Sequence, residues 1–161
     1  MKVFLTTGTQ EPFDRLIKAI DSITLYLEDI TIIAQTPKSY YQPKNIQVFD
    51  FLDPSEFDFY FTEADLIVSH AGMGTVISAL EKEKPIIIFP RLIKYKEHRS
   101  DHQMATAIKL KELNYVHVAF EEEELKSMIM SAFYNELKPL YKLGNYASDN
   151  LIIAIREAIH S

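Results

Sequence analysis

The chain has 161 residues, of which 47% are apolar and 25% charged, and its formal net charge is −6. This composition predicts a globular domain with a hydrophobic core. The acidic balance argues against general nucleic-acid binding, which needs clustered Lys and Arg, and the lack of cysteine excludes disulfides and thiolate chemistry. That lack also fits a cytoplasmic protein, and no run approaches the roughly 20 apolar residues that cross a bilayer.

The apolar residues recur with spacings that predict strands and helices in alternation. Strands are expected at 3–6, 30–34, 46–51, 66–68, 85–89 and 115–120, and helices at 12–27, 57–64, 75–82, 99–113, 121–137 and 147–159. The sequence Asp53-Pro54-Ser55 is typical of a helix start. The fifth strand is apolar throughout, which indicates burial on both faces. We therefore predict one α/β domain over 1–161, a Rossmann-like parallel sheet with helices on both faces.

The turn after the first strand reads Thr7-Gly8-Thr9-Gln10-Glu11. Ligands of parallel sheets bind beyond the carboxyl ends of the strands. Gly8 permits a tight bend, and the hydroxyl groups and the following helix N-terminus favour an anion. The same residues also suit a plain strand-to-helix turn, so both interpretations stay open. A G-x-G-x-x-G fingerprint is absent, so no nicotinamide or other cofactor is expected.

The fourth strand ends in a second glycine-bearing turn, Ser-His-Ala-Gly-Met-Gly-Thr over residues 69–75. Two glycines before a helix leave backbone N–H groups facing a ligand, and the helix dipole favours a diphosphate. In this interpretation Thr75 caps the helix or bonds a phosphate, and His70 contacts a base, a ribose or a phosphate. The alternative is a tight structural turn with a satisfied histidine.

Polar residues also follow the fifth strand, first Pro90-Arg91 and then Glu-His-Arg-Ser-Asp-His-Gln over residues 97–103. His98 and His102 lie four apart and would share a helix face, a spacing that suits a metal. However, H-E-x-x-H is absent and no third ligand is identifiable, so no metal is expected. We favour a polar helix start at the ligand crevice, where Asp101 or Gln103 binds sugar hydroxyls and Arg91 a phosphate.

Two features near the carboxyl end have simpler interpretations. The acidic run 121–124 falls at a predicted helix N-terminus, where negative charge is favoured, so we interpret it as a solvated cap. The last helix, within 146–161, places Leu151, Ile152, Ile155 and Ile159 on one side. This stripe is either core packing or a surface that docks a partner.

These motifs resemble, in the same order, those of the soluble subunit of two-component bacterial polysaccharide glycosyltransferases, the PssE type. The likeness covers residues 1 to about 115 and rests on 3–21, with its Thr7-Gly8-Thr9 turn, on 69–75, and on 90–91 with 97–103. More distantly, the chain resembles the soluble subunit of the eukaryotic UDP-N-acetylglucosamine transferase that extends dolichol-linked sugars. It also resembles the C-terminal half of MurG, in family 28 of the GT-B glycosyltransferases.

The resemblance implies half of a GT-B fold that binds a UDP-sugar donor. A membrane-anchored partner subunit would bind a lipid-linked saccharide acceptor and recruit this chain to the inner face of the cell membrane. Together they would transfer a hexose with inversion in polysaccharide biosynthesis, active only as a pair. Enzymes of this fold generally need no bound metal.

The resemblance also implies roles for single residues. The substrate-binding set is Gly8, Thr9, His70, Gly72, Met73, Gly74, Thr75, Ser78, Arg91, Glu97, His98, Asp101, His102 and Gln103. The turns at 8–9 and 70–75 would face the diphosphate and nucleoside, and His102 and Gln103 the donor sugar. Ser78 stands where MurG-type domains carry a glutamate that binds the ribose, so it would keep one hydrogen bond and lose the bidentate grip. We expect the general base on the partner, with His70 and His102 as the alternatives here.

Two other functions remain open. The chain could be a non-catalytic nucleotide-binding subunit that activates or anchors a partner glycosyltransferase. It could also be a free-standing nucleotide-sugar enzyme, an epimerase or a phosphatase. A nicotinamide-type epimerase would need the missing fingerprint, and a hydrolysing epimerase would need a second domain that 161 residues do not accommodate.

Overall fold

The computed structural model describes residues 1–9 and 11–144, together with positions 153, 155 and 157, which are helical. The remainder of segment 146–161, to which the sequence assigns a final helix and a docking surface, lies outside the described residues. None of the helices in the described part of the chain is long and apolar enough to cross a bilayer.

One parallel sheet of six strands organises the molecule, as the sequence predicted. The strands are β1 (Lys2–Thr6), β2 (Thr31–Gln35), β3 (Gln47–Phe49), β4 (Leu66–Ser69), β5 (Ile86–Ile88) and β6 (His117–Val118). Their order in the sheet is β3-β2-β1-β4-β5-β6. Successive strands are therefore added on one side of β1 up to β3, and on its other side from β4 to β6. This reversal beside β1 is the switch point at which such sheets bind ligands.

Within residues 11–144, five α-helices cover the two faces of the sheet. They are α1 (Asp14–Ile23), α2 (Pro54–Glu63), α3 (Met73–Glu81), α4 (His102–Glu112) and α5 (Glu122–Phe133). The core under α1 and α5 contains Val3 and Leu5, whereas Phe4 packs under α2, α3 and α4. Side chains alternate between the faces of a strand, so the two cores share β1. All three residues of β5 are buried, which confirms the expectation that both its faces are covered.

The start of α2 shows how local sequence sets an element. The Asp53 carboxylate accepts hydrogen bonds from the amides of Ser55 and Glu56, and the Glu56 carboxylate accepts one from the Asp53 amide. This reciprocal capping box satisfies amide groups that a helix leaves without partners, and Pro54 suits the first helical position. The predicted helix start at Asp53-Pro54-Ser55 is confirmed.

Several predicted boundaries were wrong. The helix expected at 12–27 is α1 followed by a 3₁₀ turn (Thr24–Tyr26), and Pro12 lies before it. Phe13 is not helical, with φ of −140°, and its buried ring stacks on Phe89. Tertiary packing therefore delays the helix by two residues. The helix expected from 99 begins only at His102, and the strands expected at 46–51 and 115–120 shrink to β3 and β6.

A buried carboxylate ties the loop after β2 to α1. Asp21 is only 4% exposed, and it accepts hydrogen bonds from the Tyr41 hydroxyl at 2.7 Å and the amides of Asn45 and Lys44 at 2.9 and 3.2 Å. Burial by itself would raise the pKa of Asp21, but these hydrogen bonds outweigh it and hold that pKa below its usual value. The ionised form therefore stabilises the fold.

Replacing Asp21 by Asn should lower the free energy of unfolding at neutral pH by about 2 kcal/mol, because Asn satisfies fewer of these donors. A folded-state pKa below the unfolded one means that the carboxylate's contribution is complete above the unfolded pKa of about 3.9. It is lost as the pH falls through the folded pKa. The gap between wild type and Asp21→Asn should therefore shrink on acidification, as measured by thermal unfolding at several pH values.

The matched control is Asp58→Asn, since Asp58 is exposed and its side chain pairs with Lys82 at 2.9 Å. Exposed pairs contribute little, so this variant should unfold within about 0.5 kcal/mol of wild type. If Asp21→Asn lowered the free energy of unfolding by the same amount at every pH, the stabilising role of the ionised Asp21 carboxylate would be contradicted.

Candidate functional site

The ends of three neighbouring strands lie at one level. Thr6, the last residue of β1, pairs with Gln35 at the end of β2 and with Ser69 at the end of β4. The turns that follow β1 and β4 therefore leave the sheet side by side. The structure brings together the two glycine turns that the sequence singled out.

A cavity of about 390 Å³ opens between these turns. It is lined by Thr6, Gly8, Thr9, Gln35, Phe57, His70, Gly72, Gly74, Thr75, Arg91, His98 and Gln103. The volume falls in the range of small-molecule sites, and the lining mixes hydroxyl, amide, imidazole and guanidinium groups. We call it the switch-point cavity. That its residues bind a ligand stays a prediction.

The ring of His70 fills the space between the two turns. A Cβ built on Gly72 would lie 2.3 Å from His70 Nε2, and one on Gly8 would lie 2.8 Å from His70 Cε1. Gly8 also has φ of +72°, which favours glycine. At Gly74, by contrast, a Cβ would meet nothing within 4 Å. The first two glycines are needed for packing, whereas the third leaves open space beside the cavity.

His70 is neutral at physiological pH. Burial is the main cause that lowers its pKa to about 4, and the positive charge of Arg91 and the neighbouring His98 act in the same direction. Its Nδ1 lies 3.3 Å from the Ser69 hydroxyl. An imidazole with so low a pKa is a poor proton acceptor at neutral pH, although its ring nitrogens still form hydrogen bonds.

The Arg91 side chain holds the turn after β1 in place. It is 2% exposed, and its Nη2 donates to the carbonyl oxygen of Thr7 at 2.7 Å and to that of Glu11. Its Nε has no hydrogen-bond partner among the described residues. The guanidinium thus fixes the backbone around Gly8 and brings a positive charge to the cavity. Both roles are compatible with the predicted phosphate contact.

Glu97 lies outside the switch-point cavity, and its carboxylate oxygens already accept hydrogen bonds within the protein. Its carboxylate, 7% exposed, accepts hydrogen bonds from Arg15 Nε and Nη2 at 2.8 and 2.9 Å and from the Leu92 amide at 3.0 Å. These bonds hold the loop after β5 against α1. The geometry gives Glu97 a positioning role, and the substrate contact that the motif implied stays a prediction.

The structure places some of the other residues of the third motif at the cavity and some away from it. Gln103 lines the cavity, and its Oε1 accepts a hydrogen bond from the Arg91 amide at 3.1 Å. Asp101 accepts from the Ile93 amide instead. His102 opens α4 and is exposed, whereas His98 lies in the preceding turn with Nδ1 2.9 Å from the Ser100 carbonyl. The expectation that His98 and His102 share a helix face was therefore wrong.

Two predictions on the second motif also change. Gly72, not Thr75, occupies the N-cap of α3, so the predicted capping role of Thr75 was wrong. Met73 packs against the apolar core and does not line the cavity. Ser78 lines an adjoining cavity of about 320 Å³, next to the exposed ring of Phe51. Gln35 and Phe57 belong to the walls of both cavities, so the two are contiguous.

Sequence reasoning missed Thr6, Gln35 and Phe57. Gln35 was detectable, because it is a polar residue at the end of a strand beside the switch point. Its Oε1 accepts from the Leu52 amide at 2.9 Å, which holds the segment after β3 in place. Phe57 reaches the cavity from α2, and nothing in the local sequence indicates this. Within the described residues no group of three or more His, Cys, Asp or Glu side chains could hold a metal ion.

Known proteins share both sequence and fold with this chain. A sequence model of the glycosyltransferase family 28 C-terminal domain matches residues 2–150. The UDP-N-acetylglucosamine transferase subunit ALG13 of Candida albicans is 29% identical over 107 residues, which are 62% of this chain and 35% of that protein. The chain thus spans about a third of the length of that relative.

Two solved structures show the same fold. Acinetobacter baumannii MurG superposes with a TM-score of 0.65 at 17% identity, over 99% of this chain and 49% of that one. The solution structure of ALG13 superposes with a TM-score of 0.54 at 20% identity, over 86% of this chain and 88% of that one. The single Rossmann-like domain therefore corresponds to half of a GT-B fold.

Gly72→Ala should lower the free energy of unfolding by about 1–3 kcal/mol, because the new methyl group overlaps the His70 ring. Gly74→Ala is the matched control, since alanine there meets no atom and is a better helix former. Thermal unfolding of the two variants checks this. Equal destabilisation by both would show that the ring does not pack as described.

His70 should titrate near pH 4 in the folded chain, as followed by the NMR shift of its Cε1 proton. Its folded pKa lies below the unfolded value of about 6.5, so the unfolded chain takes up the proton first as the pH falls. Stability due to this residue is complete above pH 6.5 and declines toward pH 4. His70→Gln should lack that part of the pH dependence, and titration of His70 near 6.5 would contradict its burial.

Proposed function

The chain belongs to the glycosyltransferase family 28 C-terminal domain family, and on this premise we propose that it is the donor-binding subunit of an inverting, two-component glycosyltransferase. The proposed donor is a UDP-sugar. The observation that supports this is the switch-point cavity, in which two glycine turns and the start of α3 meet at adjacent strand ends. The finer points, a hexose donor and a lipid-linked acceptor in polysaccharide biosynthesis, rest on the resemblance.

The diphosphate would bind where α3 begins. The first N–H groups of a helix have no partner within it, and the helix dipole favours negative charge there. Gly74 leaves the approach to these groups open, and Arg91, which lines the same cavity, adds a fixed positive charge. The turn at Gly8 and Thr9 would cover the same phosphates from β1.

The nucleoside would extend into the adjoining cavity. Phe51, which is 70% exposed, offers an aromatic face on which a base stacks, and Ser78 offers one hydroxyl to the ribose. The donor sugar would then lie toward Gln103 and His98, with His102 at the edge. Of the remaining motif residues, Glu97 and Asp101 would act by holding the loop after β5.

Catalysis would depend on charge stabilisation. Negative charge grows on the departing UDP, and backbone N–H groups already aimed at it stabilise the transition state. An acceptor hydroxyl that attacks the opposite face of the sugar gives inversion. Its proton would pass to a base on the partner, because the lowered pKa of His70 makes that imidazole a weak base and His102 does not line the cavity.

The partner is proposed to be membrane-anchored and to bind the lipid-linked acceptor. It would recruit this chain to the inner face of the cell membrane, and segment 146–161 is proposed as a docking element. The Candida albicans relative is itself described as a transferase subunit, which supports a two-chain arrangement.

A second function is a non-catalytic nucleotide-binding subunit that activates or anchors a complete partner enzyme. Ser78 favours it, because the residue that grips the ribose in MurG-type domains is absent here. Sugar transfer by the partner alone would establish this alternative. Transfer that requires both chains would support the catalytic role.

Calorimetric titration of the chain with UDP-glucose, UDP-galactose and UDP-N-acetylglucosamine, with and without the partner, tests the donor assignment. At least one should bind, and Gly74→Asp should weaken that binding at least tenfold, or about 1.4 kcal/mol, by placing a carboxylate against the diphosphate. An acidic residue in the first helical turn stabilises a helix, so the loss would not reflect unfolding.

Gly74→Asn is the matched control, because it has nearly the same shape without the charge and should bind within a few-fold of wild type. If no UDP-sugar binds under any condition, the donor assignment fails. It fails also if the Asp and Asn variants are equally impaired, since the effect would then be steric.

A further inference from the structure

A third cavity, of about 490 Å³, lies at the same edge of the sheet on the side covered by α1 and α5. We call it the tyrosine cavity, after Tyr40 and Tyr95 in its lining. Lys18, Lys96, Asp14 and Glu122 also face it. These residues come from segments that follow β1, β2, β5 and β6, and ligands of such sheets bind beyond those strand ends. The donor model leaves this cavity unused.

Several contacts fix Arg15 in the lining of the tyrosine cavity. The Arg15 guanidinium lies 4.1 Å from the centre of the Phe89 ring and 4.9 Å from that of Tyr95. It also donates to both oxygens of Glu97 and to the Pro90 carbonyl. A guanidinium so fixed holds the Tyr95 ring in place, although that side chain is 49% exposed.

Tyr40 is anchored through its backbone instead. Its amide donates to Asp14 Oδ1 at 3.1 Å, and the Ser39 hydroxyl donates to the same oxygen at 2.9 Å. The next residue, Tyr41, is tied to Asp21. The Tyr40 side chain is nevertheless 84% exposed. Two large aromatic side chains on anchored backbone, facing solvent at one cavity, are typical of binding surfaces.

The charges around the cavity select the class of ligand. Three cationic side chains, Arg15, Lys18 and Lys96, are balanced by three anionic ones, Asp14, Glu97 and Glu122. A diphosphate or an anionic membrane would need a positive excess. A neutral saccharide instead offers hydroxyls that donate to carboxylates and accept from ammonium groups, and the C–H face of its ring packs on an aromatic side chain.

The tyrosine cavity and the switch-point cavity are lined by nearby residues of the same two segments. The loop after β5 lines the switch-point cavity with Arg91 and His98 and the tyrosine cavity with residues 95–97. Likewise, the connection from β1 to α1 contributes Gly8 and Thr9 to the first and Pro12, Asp14 and Arg15 to the second. A chain of sugars that begins beside the donor could therefore continue onto the tyrosines.

We propose that the tyrosine cavity binds a neutral saccharide segment of the acceptor, so that this chain selects the acceptor as well as the donor. This inference rests on the proposed transferase function. It assigns Tyr40 and Tyr95 as the specificity-determining residues, and the saccharide units that they contact lie beyond the one that reacts.

The test titrates neutral tetrasaccharides of glucose, galactose and N-acetylglucosamine into the full ¹⁵N-labelled chain, with pyrophosphate as the charged comparison. At least one tetrasaccharide should shift the amide signals around Tyr40 and Tyr95. Tyr40→Ala and Tyr95→Ala should each weaken that binding at least fivefold and leave UDP-sugar binding unchanged. Tyr26→Ala is the matched control, since Tyr26 is 77% exposed and lines neither cavity.

Several outcomes would overturn the proposal. They are the absence of shifts at the cavity with every saccharide, tighter binding of pyrophosphate there, or an equal loss in Tyr26→Ala. Release of the partner chain by the two tyrosine variants, without any saccharide effect, would make the surface a protein interface. Saccharide binding without any UDP-sugar binding would instead refute the donor assignment and leave the saccharide site standing.

Discussion

The contact of the His70 ring with both glycine turns is the constraint on which the site depends. The ring sits where a side chain at Gly8 or Gly72 would be, so neither turn can carry a side chain at that position without displacing the ring. A charged ring there would repel the guanidinium of Arg91, and burial keeps the ring neutral. In the proposed donor site the first N–H groups of α3 would then be in place before the ligand arrives, as electrostatic stabilisation of a leaving group requires.

Two arginines hold in place the loops that surround the switch-point cavity. Arg91 holds the carbonyl groups of the first turn, and Arg15, through Glu97, holds the loop after β5. Both guanidiniums lie within 5.0 Å of buried phenylalanine rings, at Phe13 for Arg91 and at Phe89 for Arg15. A buried charge is costly unless it is paired, so removing the partners of either arginine would strongly destabilise the fold. Side chains that look in sequence like ligand contacts are thereby used to shape the two cavities.

The sequence indicated the sheet and the start of α2 reliably, because apolar runs and the Asp53-Pro54-Ser55 helix start are local signals. It also indicated both glycine turns, because glycine after a strand permits the tight bend and the close approach that such turns require. It could not indicate the use of Glu97, whose partner Arg15 lies far away in the chain, nor Phe57, which reaches the cavity from a helix with no motif. The start of α4 was misplaced because the Glu97 and His98 contacts hold residues before His102 in a turn. Each failure comes from tertiary contacts that local patterns do not contain.

The geometry of half a GT-B fold also bears on why such a chain would need a partner. The switch-point cavity is open at the strand ends, and Gly74 beside it is exposed. Charge stabilisation by N–H groups weakens when water competes, so the proposed transfer would require a second surface that closes over the donor. In A. baumannii MurG the matched part is about half of a longer chain. In the proposed two-chain enzyme the other surface is contributed in trans, and the tyrosine cavity would lie where that surface and an incoming saccharide meet.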